Sequence, residues 1–374
     1  MRKIGVLILC MAVVCGVCHM AFAETLKIGT LSPLTGPYAQ DGTDIKQGVE
    51  VAVAAFGPIP GFDKVEVIPG DSACDGGKAT MAANKLINSG VQAIVGEYCS
   101  SATEPSQIPI NEAGLVQITP GSTAERLTEK GYTRFFRIPP RDDVQAWSTV
   151  QFMEKKLNTK TLALIDDKQT YTVGITENIK RFVDENKIIK IVAHEHITPG
   201  DSDFTAVLTN LKRINPDVVY MSTYQPEGSK MIQQIRKLGL TSTVITNDAT
   251  YHPKFIEVGG EAAEGTFLTF AQAPDTPERK AFEEAYKKAY NLDSVGSYAY
   301  YGYDAALVIL SAVKKIGTAK GDALAKAIRD TEWNGVSGPI KFNEKGDRNL
   351  AHIVWVVKGG KYVPYWNPTT GKDM

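Results

Sequence analysis

Little in this chain points to catalysis or to a charged macromolecular partner. Among 374 residues there are only five cysteines and five histidines. Lys and Arg number 41 against 42 acids, a formal net charge of −1, and such a balance argues against nucleic acid or an anionic membrane surface as partner. No G-x-S-x-G nucleophile elbow occurs. Gly70 to Lys78 approaches a phosphate-binding loop, but Ser72 and Ala79 break the required G-x-x-x-x-G-K-[ST] spacing. Ser311-Ala-Val-Lys314 has the S-x-x-K form, yet it falls inside a long amphipathic helix pattern with no companion motif. His194-Glu195-His196 alternates along a strand end and is read as solvated surface. There is no low-complexity segment, and the one sustained apolar run, Ile4 to Val17, is too short to span a membrane. No enzyme, metal or cofactor is expected.

What is present begins with that run. Arg2 and Lys3 precede it, and Ala21-Phe22-Ala23 supplies the small-x-small pattern that a signal peptidase cuts. Residues 1–23 are therefore expected to be a secretory signal peptide, with a soluble, exported chain starting at Glu24. Leu9, Val14 and Val17 stand directly before Cys10, Cys15 and Cys18, so a lipidated amino terminus is not expected. Export leaves Cys74 and Cys99 in an oxidising compartment, where a single disulfide between them is expected. Its loop closure contributes about 3 kcal/mol in the chain-entropy view. Neither cysteine has a Cys or His at metal-ligand spacing.

From Glu24 onward, short apolar runs alternate with helical ones. Strands are predicted at Leu26–Leu31, Val65–Ile68 and Val91–Val95, with helices at Asp44–Phe56 and Lys78–Asn88 between them. Phe135 to Pro140 reads as a strand closing in a proline hinge, after which the alternation restarts at Val144 and continues to Thr246. Three further helices, from Glu278 to Asp330, and two strands turning at Gly359-Gly360 complete the chain. Repeated βαβ units predict parallel sheets with helices on both faces, and the length calls for two domains whose patterns echo each other.

The chemistry gathers at strand ends. Glu97 to Thr123 contains two of them, followed by Ser100, Ser101 and Thr103 and by Thr119, Ser122 and Thr123. In open parallel sheets ligands lie beyond the carboxyl ends of strands, where helix N-termini offer unpaired N–H groups to an anion. Hydroxyls there donate to a carboxylate without adding charge; the alternative is that Ser100 and Ser122 only cap helices. In the second half, Tyr171, Tyr224 and Asp248 follow strand ends. A carboxylate with aromatic faces suits an ammonium, each cation–π contact being worth about 0.5–2 kcal/mol. Donors on one side and an acid with two tyrosines on the other are complementary to an α-amino acid. Tyr298, Tyr300, Tyr301 and Tyr303 are read chiefly as packing, with the pocket mouth as the alternative.

The motifs K-I-G-T-L-S-P-L-T-G-P-Y-A-Q-D-G, D-S-A-C-D with E-Y-C-S-S-A-T, Q-I-T-P-G-S-T-A-E-R-L-T, D-D-K-Q-T-Y and F-N-E-K-G-D run through the chain. Together they resemble the substrate-binding proteins of branched-chain amino-acid ABC transporters, the leucine/isoleucine/valine-binding family of type I periplasmic binding proteins. That resemblance implies an α/β fold of two doubly wound parallel-sheet lobes joined by three crossovers and closing by a hinge. Lobe 1 would comprise 24–141 and 274–347, and lobe 2 would comprise 142–273 and 348–374. Carried over by position, Ser100, Thr123 and the Gly121 backbone would hold a ligand carboxylate, and Asp248, Tyr171 and Tyr224 would surround its ammonium. Tyr38 and Asp41 would line the side-chain pocket, and Cys74 would pair with Cys99. Asp248 stands where members near the leucine binder commonly carry the longer Glu. The implied partners are a small amino acid and the membrane permease subunits of an importer, with the protein a monomer in the periplasm. A receptor for another small carboxylate or amide, including aromatic acids, a ligand-sensing module and, least favoured, a periplasmic hydrolase are the rivals.

Overall fold

The computed structural model describes residues 24–374; the leader expected over 1–23 lies outside the described residues. The first half forms β1 (Glu24–Ser32), β2 (Phe62–Asp71), β3 (Ala93–Gly96), β4 (Val116–Thr119) and β5 (Phe135–Arg137), with helices α1 (Ala39–Phe56), α2 (Gly76–Asn88) and α3 (Ser100–Glu112) between them. The second half forms β6 (Thr161–Asp166), β7 (Lys190–His196), β8 (Val218–Ser222), β9 (Thr243–Thr246) and β10 (Phe267–Ala271). Its helices are α4 (Asp142–Lys155), α5 (Thr170–Asn186), α6 (Thr205–Ile214), α7 (Gln225–Lys237) and α8 (Pro253–Gly259). Helices α9 (Pro277–Tyr290), α10 (Ser297–Ile316) and α11 (Gly321–Asp330), a ribbon of β11 (Trp333–Gly335) and β12 (Gly338–Ile340), and strands β13 (His352–Lys358), β14 (Lys361–Asn367) and β15 (Lys372–Asp373) follow.

The first sheet has the order β2-β1-β3-β4-β5, all parallel. The second repeats that order as β7-β6-β8-β9-β10, then adds β13, β14 and β15 antiparallel on the far side of β10. Strands β3, β4 and β8 are buried throughout, which is why they read as unbroken apolar runs rather than as alternation. Strand β10 and the short α8 were not predicted; β10 is a five-residue apolar run between its parallel neighbour β9 and antiparallel β13.

Helices α9 to α11 return to the first sheet. Helix α10 lies along α1, and two glycines permit the approach: a Cβ on Gly48 would meet the Ala299 carbonyl oxygen at 2.1 Å, and one on Gly302 the Ile45 carbonyl oxygen at 2.5 Å. The chain thus passes between the sheets at 138–141, 272–276 and 349–351. The first and third passages are tied together. Arg137, fully buried, donates to Asp347 at 2.9 Å through Nε and 2.6 Å through Nη2, and Arg141 reaches the same carboxylate at 3.1 Å. The F-N-E-K-G-D turn positions that acid, since the Asn343 side chain accepts from the Lys345 and Asp347 amides at 2.9 and 3.0 Å. No helix among the described residues is long and apolar enough to cross a membrane.

Candidate functional site

The carboxyl ends of β3 and β4 lie side by side, and a buried acid pins them. Glu97 accepts from the Ser72 hydroxyl and the Cys99 amide, and burial pushes its carboxyl up to about 8. Its backbone oxygen accepts from Thr119 Oγ1 at 2.6 Å and Ser122 Oγ at 3.1 Å, so the loop after β4 is held against the loop after β3. The Cys74–Cys99 disulfide, with Cα atoms 5.5 Å apart, fastens the start of α3 to the loop after β2.

Capping does not occupy the serines. The N-cap of α3 is Cys99 and no side chain caps it; Ser100 is the first helical residue, and its Oγ accepts from the Ala124 amide at 3.2 Å, which leaves its own proton to donate. Ser122 is spent internally, bonding Thr103 Oγ1 at 2.5 Å and the Tyr98 carbonyl at 3.0 Å. Thr123 is buried, its hydroxyl beside the Asp142 carboxyl. The Gly121 amide makes only a long 3.2 Å contact to Thr119 Oγ1. A Cβ at Gly121 would stand 2.6 Å from the Tyr98 ring and 2.9 Å from its Cα, so glycine is what lets Tyr98 lie here. Uncapped N–H groups at the positive end of a thirteen-residue helix, with the Ser100 and Thr123 hydroxyls, are uncharged donors of the kind an anion can use.

The opposing wall comes from the second sheet. Tyr171 opens α5, Tyr224 is the N-cap of α7, and Asp248 begins a short 3-10 turn after β9. The Tyr171 hydroxyl donates to Asp248 Oδ1, which also accepts from Gln145 Nε2 at 3.0 Å, and the Tyr298 hydroxyl donates to Oδ2 at 3.1 Å. Burial raises the Asp248 carboxyl above its ordinary range, and these three donors partly offset the rise. Tyr224 bridges the two walls, its ring centroid 4.6 Å from that of Tyr38 and 5.8 Å from that of Tyr98, while Tyr171 packs on Tyr224 at 5.2 Å and Tyr98 on Tyr298 at 4.8 Å within the walls. Tyr98, Gly121, Tyr171, Tyr224, Ala249 and Tyr298 line a cleft packed so tightly that it leaves no room for a water molecule.

Of the sequence-selected residues, Gly121, Tyr171 and Tyr224 line this cleft, Asp248 is bonded to the Tyr171 and Tyr298 hydroxyls and Tyr38 packs on Tyr224, whereas Ser100 and Thr123 are not among its lining residues. Asp41 lies behind the cleft, buried beside Tyr98, with its carboxyl pushed up to about 7 by burial. Helix α1 places Asp44 one turn on, 3.3 Å from His252 Nε2 of the other half. Tyr98, Gln145 and Asp142 were missed. Asp142 is buried next to Thr123. Tyr298 belongs to the cleft, whereas Tyr300 and Tyr303 pack on Phe282 and Tyr301 on Phe270.

Two α/β halves built on the same order of five parallel strands, with a cleft of tyrosines and one buried acid where they meet, have the architecture of a two-lobed binding protein. The chain belongs to the periplasmic binding protein family, whose profile matches residues 25–361. A Pseudomonas aeruginosa leucine-, isoleucine-, valine-, threonine- and alanine-binding protein is 33% identical over 87% of this chain and 87% of its own. Among solved structures, a leucine-binding protein of Thermotoga maritima is 30% identical, with a TM-score of 0.84 over 91% of this chain and 97% of its own. A Streptococcus pneumoniae branched-chain amino-acid transporter substrate-binding protein in complex with isoleucine is 26% identical, with a TM-score of 0.82 over 91% of this chain and 98% of its own. These relatives are binding proteins, not enzymes.

Proposed function

We propose that this chain is an exported receptor for a small α-amino acid of the leucine, isoleucine and valine class, which it encloses between two lobes and delivers to an ABC importer. The observation that carries the reading is a buried acid at the cleft between the halves: Asp248 is bonded to the hydroxyls of Tyr171 and Tyr298, which line that cleft together with Gly121 of the first half. Ser100, Thr123 and the Gly121 backbone take the ligand carboxylate. Asp248 takes the ammonium, with the faces of Tyr171 and Tyr224 beside it. Tyr38 and Asp41 shape the space for the side chain.

The lobes are 24–141 with 274–347, and 142–273 with 348–374; bending at the three passages opens and closes them. The named ligands of the Pseudomonas and Streptococcus relatives support an amino acid of this class. The partners are the membrane permease subunits, which meet the closed, loaded monomer in the periplasm after the leader is removed. A more polar ligand side chain is the second reading, favoured by the buried Asp41 carboxyl and Tyr98 hydroxyl that sit beside each other behind the cleft.

The test is calorimetric titration of ligand-stripped protein with the twenty amino acids and a set of aromatic carboxylates. Submicromolar binding of leucine, isoleucine or valine is expected. Binding of a carboxylate lacking an ammonium, with no amino acid bound, overturns the assignment of Asp248.

A further inference from the structure

The H-E-H segment ending β7, read from sequence as solvated surface, has a buried partner. Alternation along the strand puts His194 and His196 on one face and Glu195 on the other. Strand β7 is the edge of the second sheet, and its register sets His194 beside Leu164 and His196 beside Asp166. Both imidazoles therefore converge on the Asp166 carboxylate: His194 Nε2 is 2.5 Å from one oxygen and His196 Nδ1 2.7 Å from the other. Asp166 is fully buried while the His196 side chain is 42% exposed, so the cluster opens to solvent on one side. The Thr176 hydroxyl and the Lys168 amide, at 3.2 and 3.1 Å, hold the carboxylate in place.

We propose that Asp166, His194 and His196 form a binding site for a divalent transition metal of the zinc class. Two imidazole nitrogens and a carboxylate oxygen are a borderline donor set that suits Zn²⁺, and three protein ligands leave the fourth tetrahedral position to water. The three donor atoms lie within 4.8 Å of one another, and no other such group occurs among the described residues. Zinc bonds of about 2.0–2.1 Å place neighbouring donors roughly 3.3 Å apart in a tetrahedron. The ion therefore enters when the imidazoles draw back from the carboxylate by under about 1 Å, and solvent-facing His196 has room to turn. Thr176 and Lys168 then act as the outer donors that fix a ligating carboxylate. The site lies outside the amino-acid cleft, at the root of the loop that carries Tyr171, and does not depend on what the cleft binds.

Zinc titration of tag-free, chelator-treated protein tests this. Among the described residues the other imidazoles, His252 and His352, are buried, and both cysteines are in the disulfide, so competing ligands are few. One Zn²⁺ per chain is expected, with affinity weakened at least about tenfold in His196→Ala and again in His194→Ala. Because Asp166→Asn risks the fold at a buried position, the exposed His196→Ala carries the decision, with its thermal unfolding in chelator as the check on folding. Absence of zinc binding up to about 100 μM, or undiminished binding by folded His196→Ala, overturns the proposal.

Discussion

Asp248→Asn separates recognition from folding. Asp248 is 3% exposed and accepts from three neutral donors, Tyr171, Gln145 and Tyr298. None of these supplies a positive charge, and burial holds its carboxyl above the ordinary range, so a cation brought beside it would favour the ionised form. The amide keeps an oxygen for Tyr171 and nearly the same volume, and the Tyr298 hydroxyl can turn to accept from its N–H. Folding stability should therefore hold or rise slightly, because a buried charge is removed. An ammonium, by contrast, loses a charge-assisted hydrogen bond worth about 1.5–3 kcal/mol. That range corresponds to a Kd raised about 10- to 150-fold. Calorimetry should show this loss for zwitterionic ligands, while thermal unfolding without ligand stays near that of the wild type. A Kd within about twofold of wild type would refute the role given to Asp248.

Ser100→Ala should weaken an amino acid more than its carboxamide, because the lost hydroxyl donates to a charge; equal losses in parallel titrations would remove Ser100 from the carboxylate receptor. Gly121→Ala should cost about 1–3 kcal/mol of stability through the clash with the Tyr98 ring and backbone; a denaturation midpoint unchanged by Gly121→Ala would deny the close approach. Replacing Cys74 and Cys99 together with serine should lower stability by about 2–4 kcal/mol under oxidising conditions, and an unmoved urea midpoint would contradict it. Asp41, with its carboxyl raised to about 7, contributes stability that is fully present below its unfolded value and lost as pH rises through 7. Asp41→Asn should match wild type in melting temperature near pH ~4 and exceed it near pH ~8, so superimposable pH profiles would show that burial of this carboxyl carries no cost.

What could be read in the sequence and what could not divides along physical lines. Parallel strands buried on both faces announce themselves as apolar runs, and the residues after them fall at the sheet's carboxyl edge, so the strand-end placement of Ser100, Thr123, Tyr171, Tyr224 and Asp248 was legible from position alone. Helix α3 was open to doubt between loop and helix because Pro105 and Pro109 interrupt it, and only its packing shows the helix continuing through them. Strand β10 was hidden in Gly265 to Pro274, too short for periodicity to separate from a loop. Tyr98 and Gly121 were individually unremarkable; their meaning is joint, since the ring occupies the space that a Cβ would take, and no local pattern records a contact between the ends of two strands. The same limit concealed Asp166 from His194 and His196. Their separation along the chain is bridged only by the β6–β7 register, and a slip of one residue would turn both imidazoles to the opposite face. Chemistry confined to one strand end is therefore visible in sequence, whereas chemistry shared between neighbouring strands becomes visible only once their register is known.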